Sequence, residues 1–403
     1  MSATVAADTG LSAERRHFRA FVLDDETRRV VDQVIADLMI PHAAVQRGGV
    51  ADAVRELGVQ RSPRILLVDI TDAELPLSAV NELAEVCEPG VAVLAIGDRN
   101  DVGLFRDLVA HGVSDYLVKP VNVALLQKSL LGVMDASGQG RQPNRLGRLI
   151  AVTGTRGGVG ATMVATSLAW TIANRRRRRV ALVDLDLQFG TAALALDLEP
   201  SHSLREALEQ PSRIDSLFVD RAMAKHSETL YVLSSEENLS DSLLTDYAAL
   251  DALVKELRNK FHFVIIDLPR VVTPSTQHVL QSATNFVLVS DLSLAGMRDA
   301  LRFVSLLPNI NASCQIAMCA SRVGEHRQGE IARREFESAI GRPIDVIIPF
   351  DPRNVAALTN VGQPVASSRS PVATALHDLA DRICGPAGAP RRGTAIWPFM
   401  RRR

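Results

Sequence analysis

Cysteine is scarce in this 403-residue chain. Cys87, Cys314, Cys319 and Cys384 are too few and too scattered for a disulfide framework. Cys314 and Cys319 share the strand-like run SCQIAMCAS, where they read as small buried thiols rather than a metal pair. Charge imbalance is missing as well: 45 Lys and Arg against 46 Asp and Glu leave a formal net charge of -1, which gives no support to a bulk nucleic-acid binder. No apolar run approaches the roughly 20 residues of a membrane span, and the polar opening MSATVAADTGLSAERR is not a signal peptide. These absences point to a reducing cytoplasm. Hydrophobic residues make up 47 %, enough to bury a core in each of the two or three domains that this length predicts.

Two segments read as α/β, with a break between them. The first, residues 17–134, carries the apolar runs RAFVLDD, RILLVDI, VAVLAIG and DYLVKP, separated by helix-like stretches such as TRRVVDQVIADLM. Apolar strands that end in acidic or turn residues and alternate with helices imply a parallel sheet covered on both faces. Residues 135–147, rich in Gly, Pro, Asn and Gln, read as a solvated linker. The second segment, residues 148–386, opens with LIAVTG and continues through RVALVDLD, LYVLSS, HFVIIDLP, NFVLVSD, QIAMCASR and IDVIIPFD. Residues 1–16 and 387–403 read as tails.

In doubly wound sheets function gathers at the carboxyl ends of the strands. In the first segment those ends carry Asp24, Asp25, Asp69 and Lys119. Three carboxylates and a lysine suit a magnesium and phosphoryl-acceptor pocket. The spacing resembles the response-regulator receiver (CheY-like) family, in which Asp69 would be the acceptor, Asp24 and Asp25 the acidic pair and Lys119 the lysine. Two departures weaken a live switch: Gly97 stands where a hydroxyl residue is expected, and ITDAELPLSAV replaces the small-residue loop after the acceptor. The expectation is a receiver-shaped interaction module.

In the second segment, TGTRGGVGAT lies between a strand ending at Val152 and a helix beginning ATMVATSLAWTIAN. A Gly-rich turn there lets backbone N–H groups converge on phosphate oxygens at a helix N-terminus. Thr155, Arg156, Gly157, Gly158, Val159, Gly160, Ala161 and Thr162 form the candidate cradle. Downstream, Asp184 and Asp186 end one strand and Asp267 another, as a magnesium–triphosphate site requires: Thr162, Asp184 and Asp267 for the metal, Asp186 to orient an attacking water.

This order resembles the MinD/ParA family of deviant P-loop ATPases. The resemblance implies ATP and Mg as cofactors and a nucleotide-sandwiched homodimer, with Arg156 in the place of a lysine that reaches across it. It also implies a base-side pocket at Ser321, Arg322, Pro349, Phe350 and Asp351. Four residues depart from the family pattern: Thr155 for the loop's first glycine, Ala161 for the core lysine, Arg270 for the glycine of the second switch, and Ser321 for the asparagine that reads adenine. A charged hydrogen bond to phosphate contributes about 1.5–3 kcal/mol, so its loss weakens binding roughly 10- to 100-fold. Removing a preorganised donor from a transition state slows turnover by about a hundred- to a thousandfold.

A receiver-like module ahead of such a domain, with RGGVGAT and DLDLQFG, resembles the TadZ/CpaE family of Flp (tight-adherence) pilus assembly proteins. That resemblance implies a localisation factor that positions the pilus secretion machinery, including its secretion ATPase, peripherally at the inner membrane and at a cell pole. Three readings stand: an ATP-latched scaffold with weak or no hydrolysis, a cycling ATPase, and a response regulator acting through Asp69. Ala161 favours the first over the second, and Gly97 counts against the third.

Two basic stretches remain. Arg175 to Arg179 reads as a solvated helix C-terminus favoured by the helix dipole; DNA binding is not expected. AIWPFMRRR at the end offers a weak anionic membrane contact, its three arginines contributing about 1 kcal/mol each.

Overall fold

The computed structural model describes residues 17–58, 60–138, 146–241, 246–326 and 328–385. The expected tails and most of the expected linker lie outside these residues. The chain divides into two compact units between Arg145 and Leu146.

The first unit is a parallel sheet in the order β2-β1-β3-β4-β5, from β1 (Phe18–Val22), β2 (Ala44–Arg47), β3 (Ile65–Asp69), β4 (Ala92–Gly97) and β5 (Val113–Val118). Side chains alternate between its faces. Phe18, Ala20 and Leu67 pack with Leu126 and Leu130 on one face, while Phe21, Leu66 and Val68 pack with Leu83 and Leu108 on the other. β2 has no counterpart among the apolar runs read from the sequence: AVQR is a short, half-buried edge strand.

The second unit is an eight-stranded sheet in the order β13-β12-β11-β6-β10-β7-β9-β8. Its strands are β6 (Arg148–Gly154), β7 (Val180–Asp184), β8 (Ala224–Lys225), β9 (Leu230–Leu233), β10 (Phe263–Asp267), β11 (Asn285–Ser290), β12 (Gln315–Val323) and β13 (Val346–Pro349). All pairings are parallel except the short β8–β9 edge. β7, β10 and β11 are buried along their whole length, which explains their continuous apolar sequences. The helix Ala161–Arg175 buries nine residues between the sheet and the helix Pro371–Cys384. β6 runs two residues past Val152 before the glycine loop begins.

Register fixes the site. Asp267 at the end of β10 lies opposite Val152 on one side and Asp184 on the other. The two carboxylates therefore emerge side by side next to the turn that follows β6.

Candidate functional site

The turn after β6 is shaped by two glycines in the left-handed region, Gly158 (φ 77°) and Gly160 (φ 91°), the latter capping the helix Ala161–Arg175. Other residues pay a steric penalty there. Thr155, at the loop's first position, fits because its side chain turns inward. It is fully buried, and its hydroxyl donates to Ser290 Oγ at 2.9 Å at the end of β11. Val159 is buried beneath the loop, while Arg156 and Gly157 are exposed. The helix N-terminus thus presents an open backbone to an anion. At its first turn, where a lysine would lie, stands the methyl of Ala161.

The sequence-predicted metal residues come together. The Thr162 hydroxyl donates to Asp267 Oδ2 at 2.6 Å. Asp184, buried beside it, accepts from the backbone N–H of Asp186 at 3.1 Å and of Ala192 at 3.0 Å. Burial pushes the Asp267 carboxyl well above the usual range, and the Asp184 charge raises it further. Burial raises Asp184 too, against the pull of its backbone donors. A pair of buried carboxylates favours a shared proton or a cation between them. Two carboxylates and a hydroxyl are hard oxygen donors of the kind Mg2+ takes. Asp186 is half-buried, and its Oδ1 accepts from Phe189 N–H at 3.0 Å, capping the loop after β7.

On the opposite side, β11 and β12 contribute. Arg156 donates to Asp291 Oδ2 at 3.1 Å and to Ser293 Oγ at 3.3 Å, so in this chain it lies along its own surface. Ser321 at the end of β12 is buried, and Arg322 Nη1 donates to the Gly158 carbonyl at 2.8 Å. Pro349 ends β13, and Phe350 N–H donates to Val323 O at 2.9 Å. Asp351 caps the helix Pro352–Thr359 through Asn354 N–H. Of the predicted base-side residues, Ser321 and Arg322 therefore reach the loop, while Pro349, Phe350 and Asp351 lie on and after the neighbouring strand β13.

Sequence reasoning missed the partners of these groups: Ser290, Asp291 and Ser293, which come from a strand end 135 residues or more away, and the anchor of Arg270. Arg270 pairs at 3.6 Å with Asp299, a buried carboxylate that also holds Arg298 and Arg302. The segment after Asp267 is thereby tied to the helix Leu294–Ile310.

The first unit builds its own acidic cluster. Asp69, fully buried at the end of β3, has both oxygens occupied: Oδ1 accepts from Thr71 N–H (3.1 Å) and Thr71 Oγ1 (2.6 Å), and Oδ2 from Leu23 N–H (3.2 Å) and Lys119 Nζ (2.6 Å). Lys119 also donates to Asp24 at 2.6 Å. Burial alone would raise Asp24, but Lys119 and the donors of Thr27 outweigh it and hold the carboxyl down at about 2. Burial would lower Lys119, yet the two carboxylates raise it. Asp25 is exposed on the first turn of the helix Asp25–Asp37. Thr27 and Thr71 were invisible as site residues because hydroxyls two or three positions from an aspartate are common in any helix start or turn.

Known proteins resemble parts of this chain. A family model described as an AAA domain matches residues 147–316. The septum site-determining protein MinD of Thermotoga maritima is 26% identical over 247 residues, covering 60% of this chain and 89% of that protein. The crystal structure of the Pyrococcus furiosus cell division ATPase MinD superposes with a TM-score of 0.52 at 25% identity, over 59% of this chain and 98% of that one. A pilus assembly protein CpaE from Caulobacter crescentus overlaps 29% of this chain and 92% of its own, at 32% identity and a TM-score of 0.27, too partial a superposition to bear on function.

Proposed function

We propose, from a second unit that is a MinD/ParA-like P-loop ATPase domain behind a receiver-like sheet, that this protein is a nucleotide-latched scaffold. It binds ATP and Mg and turns ATP over slowly or not at all. The observation that carries this reading is a complete cradle around an incomplete charge set. The glycine turn, Thr162, Asp184 and Asp267 converge within one layer of strand ends, while position 161 holds a methyl group.

Thr162, Asp184 and Asp267 would hold the magnesium, which when bound neutralises phosphate charge and the carboxylate pair. The backbone of residues 156–162 and the helix dipole bind and orient the phosphates. Asp186, half-buried, would accept a hydrogen bond from an attacking water, but no lysine at 161 stabilises charge on the leaving phosphates. Binding therefore survives better than catalysis.

The biological setting we propose is Flp pilus assembly. The protein would act as a homodimer at the inner membrane, at a cell pole, recruiting pilus assembly proteins including the secretion ATPase. Support comes from the unit order together with RGGVGAT and DLDLQFG. The attachment we propose is peripheral; no described helix is long and apolar enough to cross a membrane. The tail AIWPFMRRR, the proposed weak anionic contact, lies outside the described residues.

Calorimetric titration with ATP and magnesium, with light scattering and phosphate release followed in parallel, tests the core of this reading. Binding and dimerisation with little phosphate release support the latch. Sustained release would make the protein a cycling ATPase, and no binding at millimolar ATP would leave the cradle without a ligand.

A further inference from the structure

The phosphate loop lacks a cation at position 161, yet a guanidinium reaches it from another strand. Arg322 sits where the β12–β13 register shifts, between Ala320 and Val323. Such irregularities re-aim a side chain. Its φ of 59° lies in the left-handed region, which non-glycine residues seldom adopt. The side chain is fixed on three sides: Nη1 donates to Gly158 O at 2.8 Å, Nη2 to Glu325 Oε1, and the planar group lies over the Phe350 ring at 5.9 Å.

A second observation comes from the preceding residue. Ser321 is 1% exposed, and its hydroxyl has no hydrogen-bond partner among the described residues. It stands 3.7 Å from where a Cβ on Gly160 would lie, so it faces the same turn. A buried hydroxyl without a partner is unfavourable and calls for a polar ligand. Arg156, the other cation at the loop, is held towards Asp291 and Ser293.

We propose that Arg322 supplies to the bound phosphates the positive charge that Ala161 cannot, with the Ser321 hydroxyl as a polar contact beside it. The inference rests on the nucleotide reading above. A guanidinium has five N–H groups in a rigid fork. Gly158 and Glu325 each take one, which leaves donors for phosphate oxygens. The strained backbone at Arg322 is thus a binding feature: it brings the fork to the edge of the turn.

The test uses the full chain and compares ATP, ADP and AMP, each with magnesium, by calorimetry. The proteins are wild type, Arg322→Gln, Arg322→Lys and the double variant Ala161→Lys/Arg322→Gln. Arg322→Gln keeps a polar amide but removes the charge and the reach to Gly158. It should weaken ATP about tenfold or more, with a smaller loss for ADP and the smallest for AMP. Arg322→Lys should fall between, and Ala161→Lys should recover ATP binding in the Arg322→Gln background. Equal losses for all three nucleotides would make Arg322 a structural pin and overturn the proposal, as would ATP binding unchanged in Arg322→Gln. Wild type that binds no ATP would remove the nucleotide reading itself, a result separate from either of these.

Discussion

A Cβ built on Gly97 would lie 2.5 Å from the hydroxyl oxygen of Tyr116. The phenol occupies the space that any side chain at the end of β4 would need, and its hydroxyl donates to Arg99 O at 2.9 Å. Tyr116 is nearly buried there. The absence of a hydroxyl residue at position 97 is therefore filled by an aromatic ring from β5.

Gly97→Ala should destabilise the first unit by about 1–3 kcal/mol through overpacking. Tyr116→Phe in that background removes the nearest clashing atom and should recover part of the loss. A double-mutant cycle in urea denaturation of the full chain measures the coupling. Additive losses would place the two residues out of contact.

Asp69 should not accept a phosphoryl group. Both of its oxygens are engaged by four donors, and the side chain is fully buried. Incubation with a small phosphodonor and magnesium should leave the intact mass unchanged. A phosphoryl adduct lost in Asp69→Asn would make the first unit a working receiver.

Without magnesium, the second unit should lose stability as pH rises. Asp267, held up at about 8, and Asp184, at about 6, bind protons in the folded state that the unfolded chain has released. Their unfolded values lie near 4. Stability is therefore greatest below about pH 4 as far as this pair is concerned, and declines until the folded carboxyls have ionised near pH 8. Thermal melts of wild type and Asp267→Asn across that range check it: the variant should show a flatter profile. Magnesium should stabilise wild type more at pH 8 than at pH 5, because protons and metal compete for the same oxygens.

Ala161→Lys alone should tighten ATP by about tenfold and raise phosphate release above the wild-type rate. The ammonium would enter a site with a surplus of carboxylates, which also lowers the Asp267 carboxyl towards the ordinary range. Calorimetry and a phosphate-release assay read the two effects separately. Tighter binding with no gain in turnover would locate the hydrolytic defect elsewhere, with Asp186 as the next residue to vary.

Much of this architecture is legible in the sequence because the interior strands are unbroken apolar runs that end in chemistry. VALVD and FVIID announce both their burial and their terminal aspartates, and the glycines at 157, 158 and 160 announce the turn. β2 escaped notice because AVQR, at an edge, need not be apolar. The contacts of Arg156, Arg270 and Arg322 escaped for a different reason. Each is made across strands distant in sequence, and a single arginine has no periodic pattern that names its partner. Likewise the sequence marks Gly97 as lacking a hydroxyl, but only the packing of β4 on β5 reveals that Tyr116 takes its place.

The ion pair between Arg270 and Asp299 has a mechanical consequence. Arg270 is more than half exposed and shares Asp299 with two other arginines, so the contact biases the chain after Asp267 towards Leu294–Ile310 by about 1 kcal/mol or less and lets it part from the helix at small cost. Leu294, Arg298, Leu301 and Arg302 lie exposed along the helix. The helix and the strand end that carries Asp267 are thus joined by a weak clasp, with Pro269 and Arg270 as the short link between them.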